Sequence, residues 1–158
     1  MSKEIERKFF VKDLPDLSGI VQLRYERYFL ERENGVEVRI SKVNDACFYE
    51  KKIEVSHLER TREKREISVE EFAQWKKKAS EAIVRDRYNI STNPDIAIQV
   101  YHGRFEGLIR AEVEFKTEDD AQLFVPLDWM DKEMTGLPVA RDSRLIELSD
   151  DQLRMYLK

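Results

Sequence analysis

Residues 4–10 read Glu4-Ile5-Glu6-Arg7-Lys8-Phe9-Phe10, and the alternation in this stretch governs how the rest of the chain is read. Successive side chains of a strand point to opposite faces. An extended segment here therefore sets Glu4, Glu6 and Lys8 on one side and Ile5, Phe9 and Val11 on the other. Two carboxylates at i and i+2 stand roughly 6.6 Å apart at Cα, a separation suited to sharing cations with carboxylates of a neighbouring strand. One such strand taken alone is equally an ordinary solvated sheet face, because antiparallel sheets commonly alternate apolar-in and polar-out.

The pattern recurs along the chain. Val21 to Glu31 reads as a second strand ending at Asn34-Gly35, a strong hairpin signal, and Val36, Val38 and Ile40 then alternate with Glu37, Arg39 and Ser41. After the turn at Asn44-Asp45, Phe48 to Val55 carries Glu50 and Lys52 on one face, and a charged strand follows from Arg60 to Ile67. Ser68-Val69-Glu70-Glu71 is a capping box, and Phe72, Trp75, Ala79, Ala82 and Ile83 fall at helical spacing, which predicts one long helix with Trp75 as a core anchor. Strands resume with Arg85 and Arg87 facing one way in Val84 to Ile90. Ile96, Ile98 and Val100 follow opposite Gln99 and Tyr101, and Arg110, Glu112, Glu114 and Lys116 then alternate with Ala111, Val113 and Phe115. Thr117 starts a second helix that stops near Pro126, and Ser149 to Gln152 caps a final short one ending at Tyr156-Leu157.

The 158 residues, without repeats or low-complexity linkers, predict a single domain spanning 1–158. Charged residues make up 38% of the chain, yet 28 Lys and Arg against 32 Asp and Glu give a net charge of only -4, which argues against a non-specific nucleic-acid binder. The single cysteine, Cys47, has no partner for an internal disulfide and reads as a small buried residue in a reducing compartment. No signal peptide precedes Glu4 and no apolar run approaches the roughly 20 residues of a bilayer span, so a soluble, cytoplasmic protein without a membrane partner is expected. His57 and His102 lack neighbours at metal-ligand spacing and are assigned to turns or surface, and Trp129 is open to either packing or stacking on an organic group. A homodimer is the default oligomer on base rates alone.

About eight strands at this spacing give a mainly antiparallel barrel or sandwich. If the charged faces point outward, the pattern is merely a solvated surface. If they point inward, Glu4, Glu6, Glu112 and Glu114 form a four-carboxylate patch that needs a cation, and an all-oxygen set suits Mg2+ or Mn2+. Lys8, Arg39, Lys52, Arg85 and Arg87 then supply a wall able to hold phosphate oxygens. Alternation alone does not choose between these.

Glu4-x-Glu6-x-Lys8, Val38-Arg39-Ile40, Lys52, Arg85-x-Arg87-Tyr88 and Glu112-Val113-Glu114-Phe115 occur in this order, followed by Pro126-x-x-Trp129 and Glu133-Met134-Thr135. Together they resemble the CYTH superfamily, the triphosphate tunnel metalloenzymes, over nearly the whole chain. The resemblance implies an α+β fold, a closed eight-stranded antiparallel β-barrel or tunnel with a few peripheral helices. It also implies a metal-dependent hydrolase of inorganic triphosphate or another short triphosphate compound. Glu4, Glu6, Glu112 and Glu114 would be metal ligands. Lys8, Arg39, Lys52, Arg85 and Arg87 would hold the phosphates, with Glu4, Glu6 and Lys8 at the catalytic centre. A non-catalytic polyphosphate-binding module and a class IV adenylyl cyclase are the alternatives. The chain departs from the family at Ser41, where a second Arg is frequent, and at Gln99, where many relatives have Asp. Arg62-Glu63-Lys64-Arg65-Glu66 stands where an acidic pair is usual, and Pro138 and Val139 replace basic positions, leaving Arg141 or Arg144 to substitute.

Overall fold

The structure, a computed structural model, describes residues 2–157. Its strands are β1 (Ser2–Val11), β2 (Gln22–Glu33), β3 (Val36–Val43), β4 (Ala46–Glu54), β5 (Glu59–Ile67), β6 (Ala82–Ser91), β7 (Asp95–Tyr101), β8 (Ile109–Phe115) and β9 (Met130–Glu133). Four short helices accompany them: α1 (Val69–Lys76), α2 (Glu118–Leu123), α3 (Asp142–Leu145) and α4 (Asp150–Arg154).

Local chemistry sets these boundaries. Asn34 and Gly35 join β2 to β3 with φ of 53° and 75°, as a two-residue turn with positive φ at both positions requires. Ser68 Oγ and Thr117 Oγ1 accept from the Glu71 and Asp120 amides at 3.0 and 3.1 Å, starting α1 and α2. Ser149 and Gln152 form the complete capping box of α4.

The strands follow the order β5, β4, β3, β2, β6, β7, β8, β1, and β1 pairs again with β5, so the sheet closes into a ring of antiparallel strands. β1 makes this closure with two halves of one edge: Ser2 to Ile5 pair with β5, while Phe9 and Val11 pair with β9. This ring is the expected tunnel. Its core-forming apolar clusters lie outside it. Ile5, Phe9, Ala111 and Val113 pack under α2 and Met130, with Trp129 half-buried against them, and this contact settles Trp129 as a packing residue. Tyr28, Ile40, Cys47 and Ile67 pack under Phe72 of α1, and Ile83, Leu108 and Met134 pack under the C-terminal segment. The faces that read as greasy in the sequence are covered by the helices, and the charged faces are turned inward.

One expectation fails. Helical spacing from Phe72 to Ile83 predicts a single long helix, but α1 ends at Lys76, and Ile83 lies in β6 opposite Arg27 of β2, fully buried. Phe72 and Trp75 suffice to cover their patch, with the Trp75 Nε1–H donating to Glu71 Oε2 at 3.1 Å. Sheet pairing of the β-branched Ile83-Val84 outweighs a local helical pattern interrupted by Lys76-Lys77-Lys78. Among the described residues no helix is long and apolar enough to cross a membrane.

Candidate active site

The ring encloses a polar cavity of about 170 Å3. It is lined by every residue expected to hold metal or phosphate: Glu4, Glu6, Lys8, Arg39, Lys52, Arg85, Arg87, Glu112 and Glu114. Register explains the convergence. Glu6 stands opposite Glu114 and Lys8 opposite Glu112 across β1 and β8, and Arg39 stands opposite Glu50 across β3 and β4. With a side-chain period of 2, one correct pairing carries each whole row into the lumen.

The carboxylates are engaged by lumen cations. Glu4 lies 2.7 Å from Lys52 Nζ and 3.4 Å from Arg62, and Glu6 lies 3.1 Å from Lys8 and 3.6 Å from Arg60. Glu112 takes hydrogen bonds from Arg87 at 3.3 Å and Gln99 at 3.1 Å. Burial opposes the ionisation of Glu112, but Arg87, Lys8 and Arg110 outweigh it and hold the carboxyl well below the usual range. Glu114 behaves oppositely: burial, reinforced by Glu4, Glu112 and Glu6, pushes it up to about 6. Among the described residues, no three acidic, His or Cys side chains stand close enough to hold a metal ion.

On the basic side, burial together with the neighbouring Arg39 and Arg60 brings Lys52 down to about 7, and burial above all brings Lys8 down to about 8. Three buried polar atoms lack a hydrogen-bond partner among the described residues: Glu4 Oε1, Arg39 Nε and Arg85 Nη1. Glu4 Oε1 has Lys52 beside it and Arg39 Nε has Glu50 Oε1 at 3.4 Å, both outside hydrogen-bonding geometry, and Arg85 Nη1 is a guanidinium donor.

Several lumen residues escaped sequence reasoning. Asp142, on α3, accepts from Arg27 at 2.8 Å, Arg85 at 3.1 Å, Arg110 at 3.2 Å and the Tyr101 hydroxyl at 2.5 Å. Lys8 Nζ donates to the Ala140 carbonyl at 2.7 Å and Arg110 donates to the Val139 carbonyl at 3.1 Å. Pro138 to Leu145 thereby seal one end of the ring. No periodic signal marks a lone Asp in this irregular segment. Arg27, Glu50 and Arg60 also face inward; Glu50 sat on a face already noted, whereas Arg27 lay in the second strand, Val21 to Glu31, whose faces the sequence did not separate.

The sequence departures acquire partners here. Ser41 Oγ accepts from Arg27 at 3.0 Å, and Gln99 takes two bonds from Arg110 while donating to Glu112. A carboxylate at 99 would face Glu112; the amide links that acid to a base. Arg141 lines the lumen but is held by Glu54, whereas Arg144 turns to the Gly136 carbonyl. His102 Nε2 lies outside the cavity, 2.6 Å from Asp86.

No family model matches the chain. It is 32% identical over 137 residues to an inorganic triphosphatase of Nitrosomonas europaea, a match covering 84% of this chain and 89% of that protein. The crystal structure of an inorganic triphosphatase superposes with a TM-score of 0.67 at 26% identity, covering 92% of this chain and 95% of the other. A putative adenylate cyclase of Bacillus halodurans shares the fold at a TM-score of 0.56 and 16% identity, over 78% of this chain and 87% of its own. With its charged rows turned into a closed ring and this degree of identity along most of its length, the chain belongs to the CYTH family of triphosphate tunnel proteins.

Proposed function

We propose that this protein is a divalent-metal-dependent triphosphatase acting on inorganic triphosphate or another short triphosphate compound held in the ring. The observation that carries the reading is a buried guanidinium donor, Arg85 Nη1, without a hydrogen-bond partner among the described residues, beside Arg39, whose Nε is paired with Glu50 at 3.4 Å but outside hydrogen-bonding geometry. A buried unsatisfied donor is costly, and phosphate oxygens are the acceptors that planar guanidinium forks match best. Arg39, Arg85, Arg87, Lys52 and Lys8 surround the cavity on several strands, so a chain of phosphates can be gripped along its length and its scissile bond fixed in place. The relative's name supports the same substrate class.

By chemistry the donor set suits a hard divalent cation such as Mg2+ or Mn2+, although no three of its carboxylates stand close enough to enclose one while they are paired with lumen cations. Glu4, Glu6, Glu112 and Glu114 offer only oxygen, and Glu6 faces Glu114 directly across the ladder, where like charges destabilise. Bound there, the ion would neutralise phosphate oxygens and ready a water for in-line attack. The residues of the chain do the rest. Phosphate entering the lumen competes for Lys52, Lys8 and Arg87 and so releases Glu4, Glu6 and Glu112 from their ion pairs. The remaining guanidiniums stabilise charge building on the transferred phosphoryl group.

The test is phosphate release from inorganic triphosphate, ATP and thiamine triphosphate with Mg2+, Mn2+ or a chelator, with cyclic AMP followed in parallel. We expect metal-dependent release without cyclic AMP, reduced by roughly 100- to 1,000-fold in Arg39→Ala, the loss typical of one transition-state donor. Tight binding with no release in any metal would instead identify a polyphosphate-binding module.

A further inference from the structure

Asp142 lies at the floor of the lumen, where the inward rows of the ring stop being charged. Along β1, β2 and β6 these rows run through Lys8, Arg27 and Arg85. Two residues further they become Phe10, Phe29 and Ile83, which pack with the C-terminal segment that caps the ring. At this boundary the Asp142 carboxylate takes four donors. Its Oδ1 accepts from Arg110 Nη2 at 3.2 Å and the Tyr101 hydroxyl at 2.5 Å, and its Oδ2 accepts from Arg27 Nη1 at 2.8 Å and Arg85 Nε at 3.1 Å. Arg85 still has Nη1 without a hydrogen-bond partner among the described residues.

Three guanidiniums face one carboxylate here, so positive charge remains in excess, and guanidinium forks around a compact oxyanion are the coordination that a phosphate group takes. The carboxylate does not belong to the sheet. It arrives on α3, in a segment whose Val139, Ala140 and Leu145 are buried and whose carbonyls at 139 and 140 are held by Arg110 and Lys8. Packing thus fixes Asp142 in place, and an incoming anion meets it as part of the wall. We propose that Asp142 stands in for a phosphate: it fills the innermost anion position of the lumen, and the end of a bound phosphate chain stops against it. This stop decides which anhydride bond lies beside the carboxylates of β1 and β8. The assignment rests on the triphosphate reading of the lumen and adds a positioning residue to it. An end phosphate at this depth meets Arg85 Nη1, and it goes no deeper because Asp142 holds the next donors and the apolar rows begin behind them.

The experiment uses Asp142→Ala, which vacates the position, and Asp142→Asn, which removes the charge and keeps the position filled. Inorganic tetraphosphate is hydrolysed with Mg2+ or Mn2+ and the first products are separated. Depending on the bond cut, they are orthophosphate with triphosphate, or two pyrophosphates. We expect the parent protein and Asp142→Asn to give one product pattern, and Asp142→Ala to cut one bond further along the chain and so exchange the major product pair. In calorimetry without metal, orthophosphate should bind Asp142→Ala at least about tenfold more tightly than it binds the parent or Asp142→Asn, as expected for regaining one charge-assisted hydrogen bond. Folding of Asp142→Ala in phosphate but not in chloride of equal ionic strength would support the assignment in the same way. If the parent hydrolyses neither triphosphate nor tetraphosphate, the triphosphatase reading falls separately, and orthophosphate affinity alone decides the role of Asp142. An unchanged product pattern in Asp142→Ala, equal orthophosphate affinity in the parent and both variants, or failure of Asp142→Ala to fold in either medium overturns the assignment.

Discussion

Asp142 shows what a single residue does in this molecule. Its carboxylate is buried and accepts from three guanidiniums and a phenol. Burial disfavours its charge, but Arg85, Arg110 and Arg27 hold it well below the usual carboxylate range. Removing one partner of a buried ion pair leaves the other charge uncompensated, at a cost of about 3–5 kcal/mol. We expect Asp142→Ala to lose this much unfolding free energy in urea, and a loss below about 1 kcal/mol would show that the guanidiniums repel less than their crowding implies. Glu37 makes a companion case by its pH dependence. Arg39, Arg60 and Lys52 overcome the effect of burial and hold its carboxyl at about 2, against an ordinary value of 4.5. The folded state thus binds fewer protons than the unfolded chain between these values, so the contribution of Glu37 is complete above about pH 5 and is lost as pH falls towards 2. The destabilisation caused by Glu37→Gln should accordingly shrink over that interval in acid titrations of unfolding. A difference that stays constant with pH would contradict the assignment.

At the scale of elements, the hairpin and the helix carry opposite lessons. The β2–β3 turn was legible because Asn34-Gly35 has one dominant physical solution, positive φ at both residues, and the structure adopts it. Gly35→Ala places a Cβ at φ 75°, with Glu54 Cβ 3.6 Å away, and should cost about 1–2 kcal/mol in thermal unfolding, chiefly through the left-handed backbone. The length of α1 was not legible. Ala79, Ala82 and Ile83 satisfy a helical period as well as Phe72 and Trp75 do, and only the non-local pairing of Ile83 with β2 ends the pattern. Phe72 is the anchor of this short helix, 6% exposed and edge-on to Tyr28 at 6.0 Å. Phe72→Ala should destabilise by about 3–5 kcal/mol. Because Phe72 packs outside the ring, triphosphate affinity should not change below the melting temperature, and calorimetry on the folded variant checks this.

For the whole molecule, the decisive fact is that the sheet is turned with its charges inside. Strand-by-strand alternation could not reveal this, since inward and outward versions share one pattern, and only the order of motifs along the chain distinguished them. Asp142 and the seal at Pro138 to Leu145 stayed hidden because they depend on an irregular segment reaching residues more than 100 positions earlier. The ring closes only where β1 meets β5, so its geometry is coupled to the charges facing across it. Arg27, Arg39, Arg60, Lys52 and Arg85 come from β2, β3, β5, β4 and β6, and burial together with neighbouring guanidiniums lowers both Arg27 and Lys52. A polyanion bound among them would relieve that repulsion on five strands at once and would bind only the closed ring. Mass action then requires stabilisation of about 2.7 kcal/mol at 100 times the dissociation constant, a melting rise of roughly 5–11 °C for a chain of this size. Scanning calorimetry with inorganic triphosphate should show this rise in the parent protein and a smaller one in Arg39→Ala at the same ligand concentration. Raising the ionic strength should reduce the shift only modestly, because buried pairs are screened far less than exposed ones. No shift at saturating triphosphate, with or without divalent cation, would mean that the lumen's cations serve only its own carboxylates.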